Sequence, residues 1–220
     1  NVSVLSPNLV VPVGDRVFWM DTENFFVYAG QIQTIPCTIL RYVFDDINLE
    51  EKLKFFGGSN RMFDEIFWFY CSSSSDDIDR YVKFNHAEGT WDIGSLSRTA
   101  WVDFGLFSKP RAAGTINSSN FIYDHESGTT NDGSAMTSYI ESSVFDIGDG
   151  NQFAFIKKLI PDIDISSAAG NGVDYILKTR NYPGESLTTN STSSVTSTTK
   201  QADVRARSRS AVLRIQSSAD

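Results

Sequence analysis

The chain has 220 residues, of which 40% are hydrophobic and 13% aromatic, and it carries a formal net charge of −8 at pH 7. This much apolar material can bury a core as one large domain or two smaller ones, so disorder is not the default expectation. An acidic body repels a polyanion, which argues against a free nucleic-acid-binding protein. Contact with DNA would need a local basic surface.

The longest apolar run and the start of the chain indicate where the protein resides. Residues 66–71 are too few to cross a bilayer, and no charged-then-apolar leader opens the chain at Asn1. We therefore expect a soluble, unexported protein that does not insert into a membrane. The first residue is not Met, which leaves room for a longer parent chain, so a domain count from this sequence is provisional.

Cysteine and histidine are too few to predict a disulfide framework or a metal site. Cys37 and Cys71 form a single possible pair, and the two His residues are scattered. An unpaired Cys behaves as a small hydrophobic residue, so we expect free thiols in a core.

Short aromatic and β-branched runs separated by turn residues dominate the first 130 residues. They predict three successive groups of antiparallel strands: a hairpin, then three strands in a row, then a further group with the same alternation of strands and turns. Meanders that recur every roughly 40–55 residues are typical of propeller blades, so we expect β-propeller-like antiparallel blades over residues 1–130. The predicted strands are residues 16–21, 24–30, 64–70, 80–85, 90–94, 99–103 and 120–128.

One short helix is expected to interrupt these blades, over residues 46–58. An Asp or Asn can cap it, acidic residues lie in its first turn, lysines lie late, and a glycine pair ends it. Leu49, Leu53 and Phe56 would then share one face, which would pack on the outside of the sheets.

Residues 131–220 have longer predicted strands, and we expect them to form a small β-sandwich or a closing sheet. The Ser/Thr tract over residues 188–199 fits a solvated loop or an exposed edge. The later strands are predicted at residues 136–142, 152–160, 173–179 and 204–216. Their aromatic residues, expected in the core or at subunit contacts, are Tyr139, Phe145, Phe153 and Phe155.

Candidate catalytic and metal-binding residues are few, and each fits a simpler structural role. Residues 146–151 lack the full spacing and the distal Glu of an EF-hand loop. Asp162 and Asp164 could form an acid/base pair, but nothing fixes a partner across a cleft. His86 and His125 both lie in apparent turns, without a nucleophile elbow. We expect no enzymatic activity, no cofactor and no small-molecule substrate.

The end of the chain is basic although the whole is acidic: residues 200–220 contain five Lys or Arg residues against two Asp. In a strand, Arg205, Arg207 and Arg209 share one face and small residues share the other. After Ser210 the alternation reverses, because the apolar residues Leu213 and Ile215 fall on the face that carried the arginines. The strand can keep one core only if a bulge or a crossing between sheets occurs at residues 208–210.

Like charges about 7 Å apart on one strand face repel unless an anion lies opposite them. Two anions are possible for Arg205, Arg207, Arg209 and the nearby Arg214. One is an acidic neighbouring strand, including one from another subunit, and the other is a phosphate backbone. The salt dependence of the interaction distinguishes the two anions, because phosphate contacts weaken steeply with ionic strength whereas a buried ion pair is screened less.

Four stretches resemble the C-terminal part of the tail hub proteins of short-tailed bacteriophages, a group that includes packaged-DNA stabilisation proteins and propeller-bearing tail nozzles. The stretches are residues 64–70, 78–94, 98–103 and the Arg-x-Arg-x-Arg-Ser segment, and they span most of residues 60–216. The resemblance implies a β-propeller-containing structural protein of the virion tail, assembled in the host bacterial cytoplasm. It implies a ring, a homohexamer, below the portal that forms part of the DNA exit channel and retains the packaged genome.

The same resemblance implies the partners of the chain. They are further copies of itself, the portal or adaptor proteins, other tail proteins and the viral DNA in the channel. In this interpretation Arg205, Arg207, Arg209 and Arg214 contact DNA or the next subunit.

A second interpretation is a carbohydrate-binding or glycan-processing β-propeller. It requires clustered acids and exposed aromatic residues in one concavity, for which the candidates are Asp162, Asp164, Trp68 and Trp101.

Overall fold

The structure is a computed structural model, and it describes residues 2–116, 119–128, 130–131, 133–146, 151–165 and 172–217. The fold is mainly β, which confirms the predicted class, and the strands form several separate antiparallel sheets. The chain divides into two units, residues 1–127 and 128–220. The sequence placed this boundary after residue 130.

The described residues of the first unit form three antiparallel sheets whose strands follow one another in chain order. The first sheet, preceded by a 3-10 turn at Pro7–Leu9, consists of β1 (Val11–Val13), β2 (Arg16–Met20), β3 (Phe25–Tyr28) and β4 (Ile32–Ile35). The second consists of β5 (Phe56–Asn60), β6 (Glu65–Tyr70), β7 (Arg80–Asn85) and β8 (Thr90–Ser95). The third consists of β9 (Ala100–Val102), β10 (Arg111–Ile116) and β11 (Ser119–Asp124). Most of these strands match the predicted aromatic runs.

The central sheet of this unit packs on both faces, which explains why residues 66–70 of β6 are all buried. On one face, the Trp68 ring centroid lies 4.9 Å from that of Phe25 in the first sheet. On the other, the Phe67 centroid lies 5.2 Å from that of Trp101 in the third sheet. Each face of the central sheet is therefore covered by a neighbouring sheet.

One edge strand of each sheet meets the others at β5, because β5 contacts both β1 and β9. Two glycines of β5 permit this approach. A Cβ on Gly57 would collide with the side chain of Val11, and a Cβ on Gly58 would lie 2.5 Å from Cδ1 of Trp101. The glycine pair predicted to end a helix therefore serves strand packing instead.

The helix predicted over residues 46–58 is wrong in its bounds. In the described part of the chain the α-helix, α1, spans Leu40–Asp46, and a 3-10 helix follows over Leu49–Lys54. Asn48 does cap the latter, since its Oδ1 accepts a hydrogen bond from the backbone N–H of Glu50 at 3.2 Å. The predicted apolar face fails, because Leu49 and Leu53 are exposed and Phe56 belongs to β5.

Substituting Gly58 with Ala should destabilise the first unit by about 1–3 kcal/mol, because the new methyl group overlaps the Trp101 indole in a packed interior. Urea unfolding followed by tryptophan fluorescence measures the change. In a Trp101→Leu background the same substitution should cost distinctly less. An equal cost in both backgrounds would show that Trp101 does not limit the space at this glycine.

In the second unit, the residues that the structure describes form a small hairpin and two larger sheets. The hairpin pairs β12 (Thr130–Asn131) with β13 (Ser134–Ala135). The five-stranded sheet comprises β14 (Ser138–Glu141), β15 (Phe145–Asp146), β17 (Val173–Arg180), β18 (Thr188–Val195) and β20 (Ser210–Ser217). The two-stranded sheet pairs β16 (Ala154–Leu159) with β19 (Ala202–Ser208).

These two larger sheets share one apolar cluster. Leu177 of β17 and Ala211 of β20 pack with Val204 and Ala206 of β19, and Ile156 lies against them from β16. Two sheets with a common core between them form a small sandwich, which is one of the two arrangements expected from the sequence. The Ser/Thr tract forms β18 at the end of the larger sheet, so it is an edge strand and not a loop.

Candidate functional site

The basic segment forms β19, whose side chains alternate strictly between buried and exposed. Arg205 and Arg207 lie on the exposed face, while small and apolar residues lie on the buried one, as the alternation predicts. The chain then leaves this sheet at Ser208 and enters the other sheet at Ser210. The predicted crossing therefore exists, and Arg209 occupies the crossing point, half-buried.

A second row of exposed side chains lies beside these arginines on the neighbouring strand β16. Phe155 is the cross-strand partner of Arg207, and Lys158 is that of Asp203. The register shifts between Ile156 and Lys158, so that Lys157 alone lies opposite two residues of β19, Val204 and Arg205. We call the exposed side of this two-stranded sheet the basic aromatic face; its members are Phe153, Phe155, Lys157, Lys158, Asp203, Arg205 and Arg207.

Rings and cations are interleaved on the basic aromatic face. The guanidinium carbon of Arg207 lies 4.8 Å from the centre of the Phe153 ring, and Nζ of Lys157 lies 5.6 Å from that of Phe155. Phe153 is 47% exposed and Phe155 48% exposed, so both rings are accessible from solvent. Within the described residues, no carboxylate forms an ion pair with a cation of this face.

Arg214 belongs to a different environment from the other predicted arginines. Its guanidinium carbon lies 3.6 Å from the centre of the Tyr139 ring, and its Nη1 lies 3.6 Å from Oε2 of Glu141. Lys178 donates a hydrogen bond to the same carboxylate oxygen at 2.5 Å. Arg214 therefore has an anion within its own sheet. The structure brings Arg205 and Arg207 together and places Arg214 elsewhere.

The four aromatic residues expected in the core or at subunit contacts are all exposed. Tyr139 is 53% exposed and Phe145 39% exposed, and the two phenylalanines of the basic aromatic face are similar. The core alternative is therefore wrong for all four. The subunit-contact alternative stays a prediction.

Lys157 and Lys158 are members of the face that the sequence reasoning did not select. The signal was available, because Phe153, Phe155 and Lys157 follow one another at every second position, like the arginines. The two rows form one surface only because β16 pairs with β19. That pairing joins segments far apart in the chain and has no local sequence signature.

The residues proposed for a glycan site do not offer an aromatic platform. Trp68 is fully buried, and its Nε1 donates a hydrogen bond to the backbone oxygen of Leu9 at 3.0 Å. Trp101 is half-buried, with its Nε1 donating to the backbone oxygen of Ser59 at 2.7 Å. Neither indole can stack on a sugar without leaving these contacts.

The remaining candidates for chemistry are dispersed. Asp162 and Asp164 are exposed, and part of the acidic run over residues 146–151 lies outside the described residues. His86 stacks on Phe18, with ring centroids 5.8 Å apart. In the part of the chain that the structure describes, no three His, Cys, Asp or Glu side chains are grouped so that they could hold a metal ion.

Both cysteines are free thiols, one buried and one half-buried. Burial raises the pKa of Cys71, and likewise that of Cys37, to about 11. At neutral pH both therefore stay protonated and act as packing residues, not as nucleophiles.

His125, in the first unit, has a large downward pKa shift. Burial, together with the Arg98 guanidinium, lowers its pKa to about 4. Arg98 donates a hydrogen bond from Nε to Nε2 of His125 at 3.1 Å, which requires the neutral ring as acceptor. The Trp101 ring centroid lies 4.7 Å from that of the histidine on the other side.

Acidification should weaken the first unit through this histidine. The unfolded chain binds the proton near pH 6.5 and the folded chain only near pH 4, so stability is full above about pH 6.5 and falls as the pH decreases toward 4. All four tryptophans lie in this unit, so their fluorescence reports its unfolding. His125→Gln should show a smaller loss between about pH 7.5 and 5 than the parent chain. An unchanged pH dependence would exclude His125 as the cause.

Comparisons with known proteins do not assign a family. No protein-family model matches the chain, and no curated protein matches it significantly. No helix in the described parts of the chain is long and apolar enough to cross a membrane. The resemblance to tail hub proteins therefore stays a prediction from the sequence.

Proposed function

We propose that this chain is a structural subunit of a virion tail, of the tail hub or nozzle kind, and that it works through binding surfaces and not through catalysis. In this role copies of the chain form a ring, a homohexamer, below the portal, in contact with adaptor and other tail proteins. The ring contributes to the DNA exit channel and helps to retain the packaged genome.

One observation carries the proposal: Arg205 and Arg207 stand side by side on an exposed strand face with no ion-paired carboxylate among the described residues. Two guanidinium groups at this spacing repel each other unless an anion from another molecule lies opposite. The phosphates of the genome and the carboxylates of an adjacent subunit are the two anions that a tail ring would supply. The 27 Asp and Glu residues of each chain provide many such carboxylates.

The edge of the five-stranded sheet supports assembly. Tyr139 and Ile140 occupy successive positions of β14, so they point to opposite sides of the sheet, and they are 53% and 70% exposed. A strand with apolar side chains exposed on both sides suits contact with another polypeptide, since aromatic residues are enriched at interfaces.

Sedimentation velocity tests assembly and DNA contact together. The chain is measured with and without duplex DNA at about 50 and 300 mM salt, conditions between which phosphate contacts lose most of their strength. We expect a ring-sized species, and co-sedimentation of duplex that weakens steeply as salt rises. A monomer in every condition, with no DNA bound, would contradict the proposal.

A further inference from the structure

The basic aromatic face combines the two features by which proteins hold unpaired nucleic acid, exposed rings and cations beside them. We propose that this face binds single-stranded nucleic acid, with unpaired bases stacked on Phe153 and Phe155 and phosphates held by Lys157, Arg205 and Arg207. The inference rests on the proposed function and specifies the strand form that the polyanion presents at this surface.

The spacing of the two rings favours an extended single strand. Phe155 lies in β16 and Phe153 directly precedes this strand, and two residues of extended chain span about 7 Å. Successive bases of an extended strand can open to that separation. In a duplex the bases of one strand are stacked about 3.4 Å apart, so these rings could reach them only by intercalation.

Each ring has its own cation. Arg207 lies 4.8 Å from the centre of the Phe153 ring, and Lys157 lies 5.6 Å from that of Phe155. A base that stacks on the exposed side of either ring brings its phosphate into reach of the neighbouring cation. Arg205 extends the basic row along β19 and gives the backbone a continuous path.

A protein partner would fit the basic aromatic face less well than a single-stranded nucleic acid. Covering the two half-exposed rings would also bury the four cations, with Asp203 as the one carboxylate among the members of the face. Burying charges without partners is strongly unfavourable, and lysine is depleted at protein interfaces. A polynucleotide supplies one anion with every base.

Fluorescence anisotropy with two labelled probes tests the inference on the whole chain. The probes are an oligothymidine of about 20 nucleotides, longer than the usual site of one small domain, and a duplex of the same length. The parent chain should bind the single strand more tightly. Phe153→Ala/Phe155→Ala should weaken single-strand binding about tenfold or more while duplex binding changes little, because the cations remain.

Two matched variants complete the design. Phe63→Ala/Phe121→Ala removes two similarly exposed phenylalanines, 48% and 49% exposed, from the first unit and should bind like the parent. Phe153→Leu/Phe155→Leu keeps apolar side chains and should lose as much single-strand affinity as the alanine variant. Thermal unfolding confirms that each variant is folded.

The outcomes separate this inference from the proposed function. Equal affinity for both probes, or full affinity in the leucine variant, overturns single-strand binding and leaves a polyanion contact in a tail ring intact. Ring assembly without any nucleic-acid binding also overturns it and favours the acidic neighbouring subunit. A monomer that binds neither probe overturns both.

Discussion

Reversing the charge of Arg205 and Arg207 together, as Arg205→Glu/Arg207→Glu, should weaken nucleic-acid binding by about 100-fold or more at about 0.15 M salt. The two substitutions remove two phosphate contacts and place two carboxylates on the path of the backbone. The buried side of β19 consists of other residues, so the sandwich should fold normally. Anisotropy titrations over a salt series measure both the affinity and its salt dependence. The slope of log affinity against log salt should fall along with the affinity.

A variant with the same change in net charge provides the control. Arg16 and Arg41 are exposed residues of the first unit, away from β19 in the sequence. Arg16→Glu/Arg41→Glu should keep binding within about twofold of the parent, because neither residue belongs to the basic aromatic face and exposed charges outside it act only through a screened field. If both double variants lose affinity equally, general charge and not the basic aromatic face governs binding.

Replacing Trp68 with Ala should destabilise the first unit by about 3–5 kcal/mol, the largest loss of stability expected from any single change discussed here. The side chain is fully buried between two sheets, with ring centroids 4.9 Å from Phe25 and 6.1 Å from Trp91. The substitution opens a cavity among aromatic residues and leaves the backbone oxygen of Leu9 without its indole donor. Urea unfolding followed by the three remaining tryptophans measures the loss.

Trp91→Ala is the matched control. Trp91 belongs to the same cluster but is only half-buried, and its Nε1 donates to the backbone oxygen of Pro36 at 2.9 Å. Its removal should cost clearly less than that of Trp68, because part of the space left behind opens to water. Equal costs would show that the sheets do not close over Trp68 as described.

The strands were predictable because their signals are local. Runs such as residues 64–70 and 80–85 are rich in aromatic and β-branched side chains and are separated by polar turns. A short stretch of sequence is therefore enough to identify each of them as a strand. The alternation along β19 also predicted its buried side, and the reversed alternation after Ser210 predicted a bulge or a crossing between sheets, of which the structure shows the crossing. Both follow from the two-residue period of a strand.

The misplaced helix shows where local signals fail. Asn48 marked a real helix start, but the helix is of the 3-10 type and ends at Lys54. The glycines beyond it lie in a strand because β1 and β9 must approach β5 closely. That requirement comes from packing between sheets, which no window of the sequence around residues 46–58 contains.

The candidate site was predictable in part. The exposed pair Arg205 and Arg207 follows from the sequence alone, whereas the separation of Arg214 does not. Arg214 meets Glu141 because β14 pairs with β20, and this pairing joins distant parts of the chain. Lys157 joins the basic aromatic face at the register shift, where it lies opposite two residues of β19, and only the register reveals this.

A density map of the assembled particle, at a resolution that shows side chains, would reveal what lies opposite Arg205 and Arg207. It should show a phosphate or a carboxylate of a second molecule within hydrogen-bonding distance of both Arg205 and Arg207. Guanidinium groups that extend into bulk solvent in the assembled state, far from any other chain or nucleic acid, would contradict it.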